Sequence, residues 1–182
     1  MKLLPVRKNA FSLTELMVTV VVLGIVSGIV IQVSGQEWRR ERVLAVQMDL
    51  VGWLEAMRRA ALRDGACTVQ FINGPEYTPG EVLAQPAGVN DAHCLYGVEM
   101  RIPGVTAAGT RYRVETTLNE FSFTPRGTVR TATDANLDSG AMIQIQLEGG
   151  GPLGCLHIGP SVGAIRSGLV NDGQACSPEV LF

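Results

Sequence analysis

Three patterns of hydrophobic and polar positions follow one another along this chain. Residues 16–36 carry no charge, and the stretch LMVTVVVLGIVSGIVIQV within them is dominated by Val, Ile and Leu. At about 1.5 Å per residue, a helix over that stretch covers roughly 30 Å, the thickness of a bilayer's hydrocarbon core. A spanning helix is the expectation. Next, Val43, Val46, Leu50, Leu54, Met57 and Ala61 recur at spacings of three or four. Arg39, Arg40, Glu55, Arg58, Arg59 and Arg63 fall largely elsewhere on the wheel, which predicts an amphipathic helix continuing the first. Asp64 and Gly65 end it, and Arg58, Arg59 and Arg63 suit a solvated C-terminal end of the helix dipole. Trp53, Leu54 and Met57 read as anchors against a sheet.

Past Gly65 the period falls to two. CTVQF, LYGVEMRI, RYRVETTL, EFSFT, AMIQIQL and LGCLHIG are separated by Gly, Pro, Asn and Asp. They predict an antiparallel β body of roughly six to eight short strands packed on the helix. Residues 73–90, rich in proline and glycine, read as a long excursion. The fold class is therefore α+β.

Charge adds an orientation. Lys2, Arg7 and Lys8 precede the apolar run, so the N-terminus stays cytoplasmic and the body lies across the membrane. The hydrophobic share of 46% and the mean hydropathy of +0.20 are high for a soluble protein, and the excess is concentrated near the N-terminus. Without its first ten residues the chain is mildly acidic, because it loses three of 15 basic groups and none of 17 acids. That argues against indiscriminate binding of polyanions. A secretory signal cut near Val33, Ser34 and Gly35, or a simple uncleaved anchor, would also place the body outside, but neither accounts for Glu15 at the mouth of the apolar run.

The segment from Ala10 through Phe11, Ser12, Leu13 and Thr14 to Glu15, behind a short basic leader, resembles the class III signal of type IV pilins and type II secretion pseudopilins. The resemblance implies cleavage by a prepilin peptidase between Ala10 and Phe11 and methylation of the new amine on Phe11. Where the family usually has glycine before the cut, this chain has Ala10, another small residue. Glu15 becomes the fifth residue of the mature chain. A carboxylate in hydrocarbon needs a partner or a proton, and the Phe11 amine of an adjacent subunit would be a suitable cation. Glu15 is thus expected to act in filament assembly, a wrong register leaving both charges unpaired.

The likeness extends into the body. AMRRAALRDG followed by ACTVQF is similar to the helix-to-strand junction of the GspH/FimT family, with Met57 intervening between Ala56 and Arg58. FSFTPRGTV resembles that family's phenylalanine, proline, arginine, glycine turn. Pro125 and Gly127 predict a turn there without the family. The resemblance implies a pilin-like fold: a leader over 1–10, a membrane-spanning helix over 11–36, its amphipathic continuation over 37–65, and a periplasmic β domain over 66–182.

Other constellations lead less far. Four cysteines, Cys67, Cys94, Cys155 and Cys176, permit three pairings, and their even number beyond the apolar run fits disulfides in an oxidising compartment. Joining sequence neighbours gives Cys67 with Cys94 and Cys155 with Cys176. His93 beside Cys94, and His157 near Cys155, lack the paired spacing of a zinc site. Asp134, Asn136 and Asp138 are spaced like calcium ligands, but Ser139 replaces the required glycine and Ile145 the terminal glutamate, leaving a polar turn. The glycine-rich LEGGGPLG at 147–154 reads as a flexible hairpin connection. With two histidines and no Ser, His and acid arrangement, no enzyme, metal or cofactor is expected.

The resemblance implies an H-like minor pseudopilin in the periplasmic filament of a type II secretion system. The expected partners are a prepilin peptidase, other pilins or pseudopilins, and the inner membrane through a single pass. The alternative is a minor type IV pilin of the FimT kind with a role in DNA uptake. Of that family's GRxR motif, GAIR at 163–166 keeps only Arg166 as a nucleic-acid contact. A third reading, from another class, is a membrane-anchored binding module that never polymerises.

Overall fold

The computed structural model describes residues 12–72, 74, 76–87, 94–95, 97–104, 110–131, 140–160, 162–171 and 173–177, without the side chains of 29–34. The chain divides into two compact units, Met1–Trp38 and Arg39–Phe182. Helix α1, Leu13–Asp64, contributes to both.

In the first unit, Leu16, Met17, Val18, Val20, Val21, Val22, Leu23, Ile25 and Val26 are all exposed. Successive residues step by about 100°, so these positions cover every side of the helix rather than one stripe. The hydroxyls of this stretch are satisfied internally: Thr19 Oγ1 donates to Leu16 O at 2.8 Å and Ser27 Oγ to Leu23 O at 2.7 Å. Neither needs water there. Among the described residues no helix is long and apolar enough to cross a membrane. The unbroken run of described uncharged side chains extends only from residue 16 to residue 28, a helical length of about 20 Å, short of the roughly 30 Å hydrocarbon core.

In the second unit, α1 buries Val43, Val46, Leu50, Leu54, Met57 and Ala61, the six positions singled out by periodicity. It also buries Gln47, Trp53 and Ala60. Ten strands follow among the described residues: β1 Cys67–Phe71, β2 Glu76–Tyr77, β3 Val82–Ala87, β4 Met100–Arg101, β5 Tyr112–Thr116, β6 Glu120–Phe123, β7 Val129–Thr131, β8 Ala141–Leu147, β9 Leu153–Ile158 and β10 Ile165–Val170. They form two five-stranded sheets, ordered β4-β3-β1-β6-β7 and β10-β9-β8-β5-β2, with every pairing antiparallel. The single body of six to eight strands expected from alternation is therefore corrected to two sheets. One hydrophobic core takes in Leu50, Leu54 and Met57 of the helix, Val69, Phe121 and Phe123 of the first sheet, and Tyr112, Ile143 and Ile145 of the second.

Part of the supposed excursion at 73–90 is regular. β3 lies inside it and pairs with β1 through Pro86 opposite Val69. A proline inside a strand argues against an interior position. Here β4 pairs only with Val82 and Ala84, so beyond Ala84 the outer side of β3 has no neighbour among the described residues and the missing N–H is tolerated. The expected turn after β6 is present: Gly127 N donates to Thr124 O at 2.8 Å, Thr124 N donates to Thr128 O at 2.9 Å, and Phe123 pairs with Val129 across the hairpin.

The connection between β8 and β9 is not loose. Gly149, Gly150 and Gly151 have φ of +86°, +85° and +119°, a run that side chains would strain. Arg39 holds the turn, donating from one guanidinium nitrogen to Gly150 O at 2.8 Å and Glu148 O at 3.3 Å.

Candidate functional site

The first turn of α1 carries one half of a capping box. Ser12 precedes the helix, and Leu16 N donates to Ser12 O at 3.2 Å, the first helical bond. Glu15, three residues beyond Ser12, turns back so that Oε2 accepts the Ser12 backbone N–H at 3.0 Å. This is the glutamate half of a capping box, and it satisfies one of the N–H groups a helix start leaves open. Ser12 Oγ is 2.6 Å from Thr14 Oγ1. The spacing Ser-x-x-Glu was a readable signal for this cap. Its carboxylate is also favoured by the positive end of the helix dipole.

The cap fixes where the charge of Glu15 sits. The N–H it accepts belongs to the residue immediately after Phe11, so the carboxylate is held at the end of the helix where cleavage would create a new amine. Ala10 and Phe11 themselves lie outside the described residues. Directly beyond the cap comes the exposed apolar surface of the first unit.

The other sequence-derived candidates are scattered. Cys67 is bonded to Cys94 and Cys155 to Cys176, with Cα atoms 5.6 and 5.7 Å apart. The first bridge ties the start of β1 to the segment before β4; the second ties β9 to the chain after β10. Arg166 is exposed on β10, at one edge of its sheet, directly across from His157 on β9. His93, Asp134, Asn136 and Asp138 lie outside the described residues. Among the described residues no group of three or more His, Cys, Asp or Glu side chains is placed to hold a metal.

Two internal contacts that periodicity does not signal position the helix on the body. Gln47 is buried and its Nε2 donates to Cys155 O and Gly168 O, each at 3.0 Å, joining α1 to β9 and β10. Trp53 Nε1 donates to Val98 O at 2.8 Å, tying the chain before β4 to the same helix.

Residues 6–31 match the prokaryotic N-terminal methylation motif. The match takes in the cap and most of the uncharged run, and ends before the body. No curated protein and no solved structure matches the chain. The motif is that of type IV pilin-like proteins, and it implies processing by a prepilin peptidase and assembly with other pilins into a filament at the cell envelope.

Proposed function

We propose that this chain is a minor, H-like pseudopilin of the GspH/FimT kind, a structural subunit of the periplasmic filament of a type II secretion system with no catalytic chemistry of its own. In this reading the pilin-like fold is anchored in the inner membrane by the helix over 11–36, uncharged from residue 16 onward, and the disulfide-bonded body is periplasmic. The observation that carries the reading is the exposed, all-round apolar helix of the first unit, opened by a carboxylate that is held at its N-terminal end. Such a surface needs either lipid or neighbouring helices. The methylation motif over the same residues supports both in turn: lipid before assembly, and other pilin helices after it.

Intact-mass and N-terminal fragment analysis of the full chain, expressed with a prepilin peptidase, tests the first step. The expected product starts at Phe11 and carries one added methyl group. A product that keeps Met1 to Ala10 would overturn the reading. Deleting the gene then separates the two machines: loss of protein export with pili intact supports the secretion filament, and loss of pili with export intact moves the subunit to a type IV pilus.

A further inference from the structure

The second sheet buries Tyr112, Val114, Ile143, Ile145 and Leu147, so the alternate residues of β5 and β8 face the other way. Those are Arg113 and Glu115 on β5, and Gln144 and Gln146 on β8. The register sets Arg113 across from Gln146 and Glu115 across from Gln144. Along each strand the two residues are about 6.8 Å apart, the repeat of alternate residues in any extended chain. The outer face thus has a cation at one end of this floor and an anion at the other.

A strap stands beside the floor. After β10 the chain turns, with Gln174 N donating to Asn171 O at 3.1 Å. Cys176 is then bonded to Cys155, which lies across from Gln144. Gly173, Gln174 and Ala175 line a cleft of about 340 Å³ together with the four floor residues. That volume falls in the usual range of a ligand site, roughly 300–1,000 Å³. A second cleft, of about 140 Å³, shares Arg113 and Gln146 and leads on to Gly149 and Gly150, which lengthens the trough.

Most of the groups around the cleft are free. Gln146 is engaged within the chain, whereas Arg113, Glu115 and Gln144 have no side-chain hydrogen bond or ion pair among the described residues. Glu76, across from Arg113, is taken by Arg111 at 3.0 Å, and Glu148 lies 3.9 Å from the same guanidinium. Gly173, Gln174 and Ala175 are exposed, and apart from Gln174 N their backbone groups have no backbone partner among the described residues. A row of unpaired N–H and C=O groups is a template for another strand. Gln144 adds a side-chain amide, which donates and accepts as a peptide group does.

We propose that this cleft holds an extended segment of another protein, paired through its backbone with the strap and Gln144, and carrying an acidic side chain over Arg113 and a basic one over Glu115. The two side chains are two residues apart, the spacing at which an extended chain matches the floor. Nucleic acid fits poorly. Among the lining residues Arg113 is the one cation, set near Glu76, Glu115 and Glu148, and no aromatic ring is there for a base to stack on. The chain's own residues 178–182 carry Glu179 but no cation, so they do not supply the pair. Because the bridge to Cys155 fixes the strap beforehand, the incoming segment meets an edge already in place. This site does not depend on the filament reading.

The test measures fluorescence anisotropy of two labelled heptapeptides with the purified full chain in detergent. Both peptides are threonine throughout except for one aspartate and one lysine two residues apart, in opposite orders, with both ends blocked. Saturation below about 1 mM is expected. Backbone pairing fixes the direction of the peptide, so the wild type should prefer one order by about three- to tenfold, the scale of two exposed ion pairs against two like-charge contacts. Arg113→Glu with Glu115→Arg in one chain should invert that preference, which misfolding would not do. Asp172, next to Gly173 in the sequence, lies outside the described residues, and its charge is the same in every chain compared. Cys155→Ser with Cys176→Ser frees the strap and should weaken both peptides about tenfold without changing their order.

No saturable binding, equal affinity for the two orders in the wild type, or an unchanged preference after the charge exchange would each overturn the site. Undiminished affinity without the bridge would overturn it too, because the strap would then have no part in the pairing.

Discussion

The backbone N–H of Ser12 donates to Oε2 of Glu15 at 3.0 Å, so the carboxylate that interrupts the entrance to the apolar helix also caps it. The two roles, cap and charge, can be separated. Glutamine serves as the reaching residue of a capping box almost as well as glutamate, but it carries no charge. Glu15→Gln is therefore expected to keep the helix start and to abolish incorporation into the filament, while Glu15→Leu loses both. Loss of the cap alone costs about 0.5–2 kcal/mol of helix stability. Fractionation of assembled filaments checks this: normal incorporation of the glutamine variant would leave Glu15 with capping as its whole role.

At Gly154, β9 comes close to α1. A side chain there would begin 2.8 Å from Val43 Cγ1 and 3.3 Å from Gln47 Oε1, inside normal contact distance. Gly154→Ala should destabilise the body by about 1–3 kcal/mol through overpacking. Val43→Ala in the same chain should recover part of that loss, so the two changes will not add. Denaturant unfolding of the purified full chain reads both effects, and strict additivity would show that the close approach is relieved some other way.

Gln47 offers a sharper test of the same junction. Its two contacts to carbonyls require a donor, so Gln47→Glu sets a buried carboxylate against Cys155 O and Gly168 O. That carboxyl should be held above the usual range, because burial and two facing acceptors both disfavour its charged form. A raised folded pKa means the variant is most stable below the unfolded value of about 4.3 and loses stability as pH rises above it. Melting temperatures of the full chain measured from pH 4 to 7 should fall for the variant relative to the wild type; parallel curves would contradict the burial of this side chain.

Periodicity located the helix well because an amphipathic face must repeat every three or four residues, and the six positions it picked are all buried. β8 was equally legible: AMIQIQL alternates from Ile143 onward and forms Ala141–Leu147 in full, with every second residue buried. The division into two sheets was not, because β2 and β4 are two residues each and too short to show a period. β3 was hidden by Pro86, and β10 by Arg166, Ser167 and Gly168, which break any alternation of apolar and polar residues although the strand pairs with β9. At the helix start, Glu15 was conspicuous as a charge beside hydrocarbon. Its bond to Ser12 was visible only as a spacing of three.

The two disulfides differ in access. Cys67 and Cys94 are both fully buried, whereas Cys176 is partly exposed although Cys155 is not. A thiolate must reach a sulfur to exchange with it. Mild reductant should open Cys155–Cys176 first, leaving Cys67–Cys94 intact until the body unfolds. Alkylation with two distinguishable reagents before and after full reduction, read by mass, gives the order. Replacing Cys67 and Cys94 together by alanine should cost about 3 kcal/mol, the usual scale for a bridge between residues 27 apart in sequence.

Tyr77 links stability to alkaline pH. Its ring is buried, and its hydroxyl donates to Ile72 O. Burial raises its pKa above the ordinary 10.0; the backbone of Gly74 pulls it down in part, and the charge of Glu81 adds to the rise. The folded chain thus holds the phenol proton more tightly than the unfolded one. Between the unfolded pKa of about 10 and the higher folded value, the unfolded state has fewer protons bound, so stability falls as pH rises. Below about pH 10 the contribution is complete. Tyr77→Phe should cost about 1 kcal/mol at neutral pH, since Ile72 O loses its donor. The gap should narrow above about pH 10, because only the wild type then has a phenol to ionise at position 77. Denaturant midpoints for both chains across that range, with tyrosinate absorbance followed in parallel, check the sign; an unchanging gap would mean that Tyr77 ionises as readily in the folded chain as in the unfolded one, and a widening gap that folding makes it ionise more readily.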